Sequence, residues 1–347
     1  MRIASVGRAL PGNYYSQEQL LDALATLWAG RFHNPKRLEQ IQRNTLVGGR
    51  HLALPVEEYE ALRGFGAANA AFIRCGLELG ERAIREALAA AALDPRQVDA
   101  IFSLSVTGLA APSLDARLVN RLGLRSDVKR TPIFGLGCVG GAAGIARAAD
   151  YLRAYPRESA LVLSVELCSL TLQREDASMA NVIASGLFGD GAAAVVLRGA
   201  ETRARGPRVL ATRSVFYPGT EHVMGWDVTD GGFRVVLSSD VPAIAAGLRP
   251  DVEKFLAEHG AALEDVGVFV CHPGGPKVLE AIEQSLALPA DALARSWDHL
   301  ARVGNLSSAS VLFVLGDALA EPHAPGTLGL LLAMGPGFCS ELVLLQW

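Results

Sequence analysis

A cysteine in a glycine-rich setting, a histidine at the end of an apolar run and an asparagine at a turn have the types and spacing to do chemistry together. Cys138 lies in Phe134-Gly135-Leu136-Gly137-Cys138-Val139-Gly140-Gly141, where an apolar run ends and a Gly/Ala-rich helical stretch begins. A thiol at a helix N-terminus feels the positive end of the backbone dipole, and small flanking residues let a bulky acyl group reach the sulfur. His272 in Val270-Cys271-His272-Pro273-Gly274-Gly275 offers an imidazole, and Asn305 in Gly304-Asn305-Leu306-Ser307-Ser308-Ala309-Ser310 an amide. An imidazole can hold the thiol as an ion pair, and the thiolate is the species that attacks. Acyl transfer from a thioester to cysteine exchanges one thioester for another at little cost. If a malonyl thioester enters next, loss of CO2 leaves an enolate, which two N–H donors in a dry site stabilise. That combination favours carbon–carbon bond formation over hydrolysis.

Each residue also has a structural reading. His272 can be a satisfied histidine at a strand end, and Asn305 can cap the helix that follows it, a role compatible with catalysis. Cys271 and His272 form no metal pair, because adjacent strand residues point to opposite faces.

These residues need a scaffold, and the chain reads as a layered α/β protein, with apolar strand-like runs alternating with Ala/Leu-rich helical patterns. The first half predicts strands at 98–103, 131–134, 160–165 and 192–197 and helices at 113–122 and 139–151. The second half predicts strands at 266–271, 328–333 and 340–345 and helices at 276–286 and 307–319. The shared order suggests a diverged duplication that places Cys138 and Asn305 at comparable positions before a central helix. The polar stretch Glu201–Pro207 predicts the boundary, giving an N-terminal half 1–205 with the cysteine and a C-terminal half 206–347 with the histidine and asparagine. Residues 8–65 carry helical patterns at 17–28 and 35–45 outside the repeat and are expected to cover the core or the site's entrance.

Composition removes other classes. With 347 residues, half of them hydrophobic, the chain can bury a large core. Thirty-two Lys+Arg against 36 Asp+Glu leave a formal charge of -4, so no basic stripe exists for nucleic acid. The start of the sequence has no leader pattern, and apolar runs such as 328–334 are too short to span a bilayer, so a cytoplasmic protein is expected. Five scattered cysteines without a CxxC pair argue against a disulfide framework and against structural zinc.

At these residues the sequence resembles the chalcone and stilbene synthase superfamily, the type III polyketide synthases of the wider thiolase-like group. The resemblance runs almost end to end, through Gly137-Cys138-Val139-Gly140-Gly141, Gly186-Leu187-Phe188-Gly189-Asp190-Gly191-Ala192-Ala193, His272-Pro273-Gly274-Gly275, Gly304-Asn305-Leu306-Ser307-Ser308 and Met334-Gly335-Pro336-Gly337-Phe338. It implies a thiolase-like αβαβα fold of two related halves, a homodimer, and no bound cofactor or metal. Acyl-CoA and malonyl-CoA are the implied substrates, with Cys138 carrying the acyl group and His272 and Asn305 promoting decarboxylation.

The resemblance extends to the cavity. It makes Phe188 the gatekeeper between CoA tunnel and cavity, and the loop Gly335-Pro336-Gly337 the cavity floor. Val235 stands where plant enzymes have a cavity Phe, Ala111 where a Met crosses the subunit contact, and Cys168 where a cavity Thr stands. These smaller side chains, with Thr107, Thr171 and the Met224-Gly225-Trp226-Asp227-Val228 segment, look like those of bacterial enzymes making alkylpyrones and alkylresorcinols from long fatty acyl starters. An apolar tunnel past Thr107, Ala111 and Cys168 is therefore expected, each buried methylene contributing roughly 0.8 kcal/mol. Ser307 is expected to border the cavity or cap its helix. Arg37, Arg43 and Arg50, with Lys36, correspond to CoA-contacting residues, although charges on a helix commonly form a solvated face.

An initiating β-ketoacyl carrier-protein synthase shares Cys, His and Asn, but Pro273-Gly274-Gly275 here replaces its His-Gln-Ala-Asn context. A thiolase would want a second cysteine in a Cys-x-Gly context, which Cys339-Ser340-Glu341 lacks. A papain-like protease has a different plan of strands and helices. A non-catalytic acyl-binding protein would have no need to keep Cys138, His272 and Asn305 together.

Overall fold

The fold is built from one pattern of strand pairing used twice. The computed structural model describes residues 1–29 and 35–347. In the first run, Arg2–Ala9 pairs antiparallel with Asp190–Arg198, which pairs antiparallel with Ser159–Leu167; Ala100–Leu104 then lies parallel to Ser159–Leu167, and Lys129–Ile133 adds a parallel edge. In the second, Arg208–Phe216 pairs antiparallel with Cys339–Gln346, which pairs antiparallel with Leu328–Gly335, with Val266–Cys271 parallel beyond it. A single ladder pair, Arg2 with Arg208, joins the runs into a nine-stranded sheet.

Packing turns these runs into five layers. Helices Gly140–Ala154 and Ser310–Ala320 lie between the two runs in one core with Phe102, Val162 and Val195 on one side and Val268, Leu331 and Val343 on the other. The outer face of the first run packs on helices Gly64–Ala90 and Leu114–Leu122. That of the second packs on Arg249–Ala257, Pro276–Leu286 and Ala294–Val303. The order α, β, α, β, α is the thiolase-like arrangement. Central strands such as Ser159–Leu167 and Asp190–Arg198 are buried along nearly their whole length because both faces are covered.

Most expected elements form within a few residues of their predicted bounds. The expected helix at 139–151 is preceded by a 3-10 turn, Gly137–Val139, so Cys138 sits in that turn and the α-helix starts at Gly140. Similarly, 307–309 is a 3-10 turn before the helix Ser310–Ala320. The sequence reading missed the strand Arg2–Ala9, whose inward residues are Ile3, Ser5, Gly7 and Ala9. Past Ile3, the inward residues Ser5, Gly7 and Ala9 are small because the helix Gly64–Ala90 lies close on this strand: a Cβ on Gly7 would come within 2.1 Å of the Ala83 carbonyl oxygen.

The stretch 8–65 supplies a hairpin of Asn13–Ser16 with Gly49–Leu52 and two helices, Gln17–Leu27 and Pro35–Arg43. Residues 30–34 of it lie outside the described residues. A second hairpin, Met224–Thr229 with Gly232–Leu237, also stands apart from the large sheet. No described helix is long and apolar enough to cross a membrane.

Candidate active site

Three turns meet near the starts of the central helices, two of them following strands and one joining two helices. The first carries Cys138, buried in its 3-10 turn, with Sγ 3.7 Å from the Ser307 hydroxyl. The turn is clasped by the loop after strand Leu328–Gly335. A Cβ on Gly335 would come within 2.7 Å of the Val139 nitrogen, and one on Gly137 within 2.7 Å of Pro336. Glycine is what lets the two backbones touch.

The second turn carries Asn305. Its backbone N–H donates to Leu187 at 2.8 Å and its carbonyl accepts from Gly189 at 2.9 Å, forming a bridge with Phe188. Its side-chain oxygen accepts from the Ser307 N–H at 2.8 Å, and Nδ2 donates to the Gly274 carbonyl at 3.2 Å. The third turn carries His272, whose N–H donates to Leu332 at 2.8 Å, while the Gly274 N–H donates to the His272 carbonyl at 2.9 Å. Contacts thus run continuously from Cys138 through Ser307, Asn305 and Gly274 to His272.

Both ring nitrogens of His272 are buried without a hydrogen-bond partner. An unpaired buried polar group costs about 1–3 kcal/mol, so this ring is poised for a ligand. Burial holds the imidazole down at about 3 and pushes the Cys138 thiol up to about 12; the Glu166 charge also raises the thiol, while Ser307 and Asn305 pull it back. Desolvation thus favours the neutral form of each group, and an ion pair between them would have to offset that penalty through their mutual attraction.

A cavity of about 920 Å³ opens over Cys138. Phe188, Thr107, Cys168, Thr171, Trp226 and Val235 line it, with Ser307 and Pro336 at the cysteine end. Leu20, Leu24 and Leu27 of helix Gln17–Leu27 also reach it, so part of the stretch 8–65 walls the site. Gly335 and Gly337 shape the floor through backbone and are not in the lining.

Other expected residues lie outside this lining. Ala111 is exposed on the surface of the single chain and is not among the residues that line its cavity. Of the residues expected along an acyl tunnel, Thr107 and Cys168 line the cavity and Ala111 does not. Thr107 and Thr171 also border a recess of about 10 Å³, with Phe65, Asn69 and Phe233 around it. Arg50 is buried in its hairpin and donates to the Ser185 and Phe188 carbonyls, the latter at 3.0 Å, with desolvation lowering it to about 10. It pins the Phe188 backbone and lines the cavity from within, with little exposure to solvent. Arg37 and Arg43 are exposed on helix Pro35–Arg43, Arg43 paired with Glu39 at 2.9 Å, and neither lines the cavity.

Sequence reading missed Glu166. Fully buried, it accepts from Thr107 at 2.8 Å, from the Val106 N–H at 3.1 Å and from Ser308, and burial raises its carboxyl. Its signal was a lone carboxylate inside the apolar run Ser159–Leu167. Asp190, also fully buried, is held at about 6 by the same cause. Among the described residues no His/Cys/Asp/Glu cluster could hold a metal ion.

Comparison with known proteins decides the family. Residues 1–202 match the N-terminal domain of chalcone and stilbene synthases, and residues 208–347 the C-terminal domain. The chain belongs to the chalcone and stilbene synthase family. Among its relatives is a 1,3,6,8-tetrahydroxynaphthalene synthase of Streptomyces peucetius subsp. caesius, 52% identical, with 99% of this chain and 93% of the relative covered. A putative chalcone synthase of Bacillus subtilis is 39% identical over 99% of this chain and 98% of its own length. The crystal structure of 1,3,6,8-tetrahydroxynaphthalene synthase from Streptomyces coelicolor superposes with a TM-score of 0.96 at 32% identity, covering 100% of this chain and 99% of that one. This type III polyketide synthase is accordingly a CoA-dependent, decarboxylative condensing enzyme working on CoA thioesters without a bound cofactor.

Proposed function

We propose that Cys138 carries the growing chain, that His272 and Asn305 run the decarboxylation, and that the product is a polyhydroxylated naphthalene built from malonyl-CoA alone. The Cys138 proton moves to His272 as the sulfur attacks the incoming thioester carbonyl, so no net charge enters the cavity, and the departing CoA thiolate takes that proton. Malonyl-CoA then loses CO2. Its enolate oxygen is held by N–H groups of His272 and Asn305, and its carbon attacks the thioester on Cys138, releasing the thiolate for the next round. The observation that carries this reading is the buried, doubly unpartnered His272 ring, one glycine from an amide that also holds the Ser307 turn beside Cys138.

Two features support the product. The relatives named for tetrahydroxynaphthalene include the one at 52% identity. A naphthalene tetraol has no alkyl branch, and the recess beyond Thr107 holds no acyl tail. The second reading, a fatty acyl starter leading to an alkylpyrone, is favoured by the apolar face Leu20, Leu24 and Leu27 on the opposite wall. An initiating carrier-protein synthase is disfavoured by the family match.

The two-half division at 205/206, a cytoplasmic location, and a homodimer through the surface loop with exposed Leu109 and Ala111 complete the proposal. Incubation with labelled malonyl-CoA, alone and with acyl-CoA starters of graded length, tests it by mass spectrometry. A ring-closed tetraol from malonyl-CoA alone is expected. Turnover only with a fatty acyl-CoA selects the second reading, and no CO2 release in either case rejects both.

A further inference from the structure

A line of hydrogen bonds leaves the cavity wall and ends on a buried carboxylate. Tyr59, in the 3-10 helix Val56–Ala61, lines the cavity with Ser169. The Tyr59 hydroxyl lies 2.5 Å from the Ser169 hydroxyl, which donates to Asp190. Asp190 also accepts from the Ala53 N–H at 2.6 Å and the Ser169 N–H at 2.8 Å, which fix the carboxylate so that the serine proton points at Oδ2. The Leu54 N–H approaches the phenol oxygen at 3.4 Å. Each hydroxyl therefore hands its proton inward, and the phenol oxygen keeps a lone pair for the cavity.

Resting on the reading of this cavity as the room where the chain on Cys138 is elongated and closed, we propose that Tyr59, Ser169 and Asp190 form a proton relay for ring closure. A methylene carbon of the poly-β-ketone gives its proton to the Tyr59 oxygen, the Tyr59 proton passes to Ser169, and the Ser169 proton passes to Asp190. The electron pair of the broken C–H bond forms the new C–C bond to a ketone carbon, whose π pair moves onto oxygen as an alkoxide. The proton returns along the same line to that alkoxide, restoring the Asp190 carboxylate. No external acid, base or oxidant is consumed.

The electrostatics suit this. Burial and the Asp190 charge raise the Tyr59 phenol well above its ordinary range, so Tyr59 passes protons as a neutral hydroxyl. Burial lifts Asp190 to about 6, opposed by the Arg50 charge and by its hydrogen bonds, so it is ionised and basic at neutral pH. The other titratable groups facing Asp190 are Cys168 and Cys75, with thiols raised by burial and hence neutral. Tyr59 is the group that meets the chain; Ser169 and Asp190 are positioning residues acting through it.

The test is ring-closed product formed per CO2 released from malonyl-CoA, measured against pH for the wild type, Tyr59→Phe and Ser169→Ala. The wild-type ratio is expected to fall as pH drops through about 6, where Asp190 takes its proton from solution. Both variants are expected to lower the ratio at neutral pH by about tenfold or more, toward linear or lactone shunt products, and to flatten the profile; a positioned acid–base group contributes roughly 10²–10⁴-fold. Variants with the wild-type ratio and profile overturn the relay. So does an equal fall in CO2 release and product with lowered thermal stability, the behaviour of a wall residue. A wild type that releases no CO2 overturns the functional reading first, and the relay with it.

Discussion

Burial pushes the Cys138 thiol up to about 12 and holds the His272 imidazole down at about 3, so in the proposed acylation one proton passes between two groups that both start neutral. Reactivity then depends on what receives the charge that forms later, and Asn305 is that group's fixed point, tied on both ends of its amide. We expect Asn305→Ala to lower CO2 release from malonyl-CoA by roughly 10²–10³-fold, the cost of losing one oxyanion donor. Acyl-enzyme formation on Cys138, read by intact-protein mass spectrometry, should fall far less; decarboxylation within about threefold of wild type would contradict the role. At this scale the sequence was informative where glycine-rich turns advertise a residue, as at Cys138, His272 and Asn305. It was silent on Glu166, Tyr59 and Asp190, whose partners are distant in the chain, and misleading at Arg50, where a basic residue among others reads as solvent-facing until the hairpin buries it.

The cysteine turn and the asparagine turn are held in register by the approach of two elements, helix Gly140–Ala154 and the 3-10 turn Ser307–Ala309. A Cβ on Gly141 would stand 2.3 Å from the Ser308 carbonyl oxygen and 2.8 Å from Val311. Alanine improves helix propensity by about 1 kcal/mol, but overpacking against backbone costs about 1–3 kcal/mol and forces the helix away. Gly141→Ala is therefore expected to lower unfolding free energy by about 1–2 kcal/mol in denaturant titration. It should also lower kcat on the order of 10²-fold if Cys138 shifts by about an ångström. An unchanged denaturation midpoint would contradict the close approach. Apolar runs made most strands legible, whereas Arg2–Ala9 hid because the helix above it demands small inward residues, and small residues carry little hydrophobic signal.

Over the whole molecule, acid stability should bear the mark of imidazoles buried neutral. His299, behind His272, lies 3.1 Å from the Ser310 hydroxyl and is held at about 3 by desolvation first, then by the charges of His272, Arg302 and Arg8. Its folded value lies below its unfolded one, so its contribution is present above about pH 6.5 and is lost as pH falls toward 3. His299→Gln should make the acid limb of stability shallower by about 1.4 kcal/mol per pH unit in that window. Asp190 acts with the opposite sign below about 6, but equally in both proteins. Parallel acid limbs in denaturant titrations across pH would refute this. The five-layer plan was legible because each layer imposes its own period on the chain. The cavity's outline was not, because its wall draws on residues as distant in the chain as Leu20, Cys168 and Val235.

The reacting groups stand on turns around the two central helices, whereas much of the surrounding wall comes from outlying pieces: the hairpin and helix between 13 and 63, the loop 168–175 and the hairpin 224–237. Inheritance can reshape the vessel without disturbing the hands that work in it. Lineages built on this plan are free to diverge in what they make long before they diverge in how they make it.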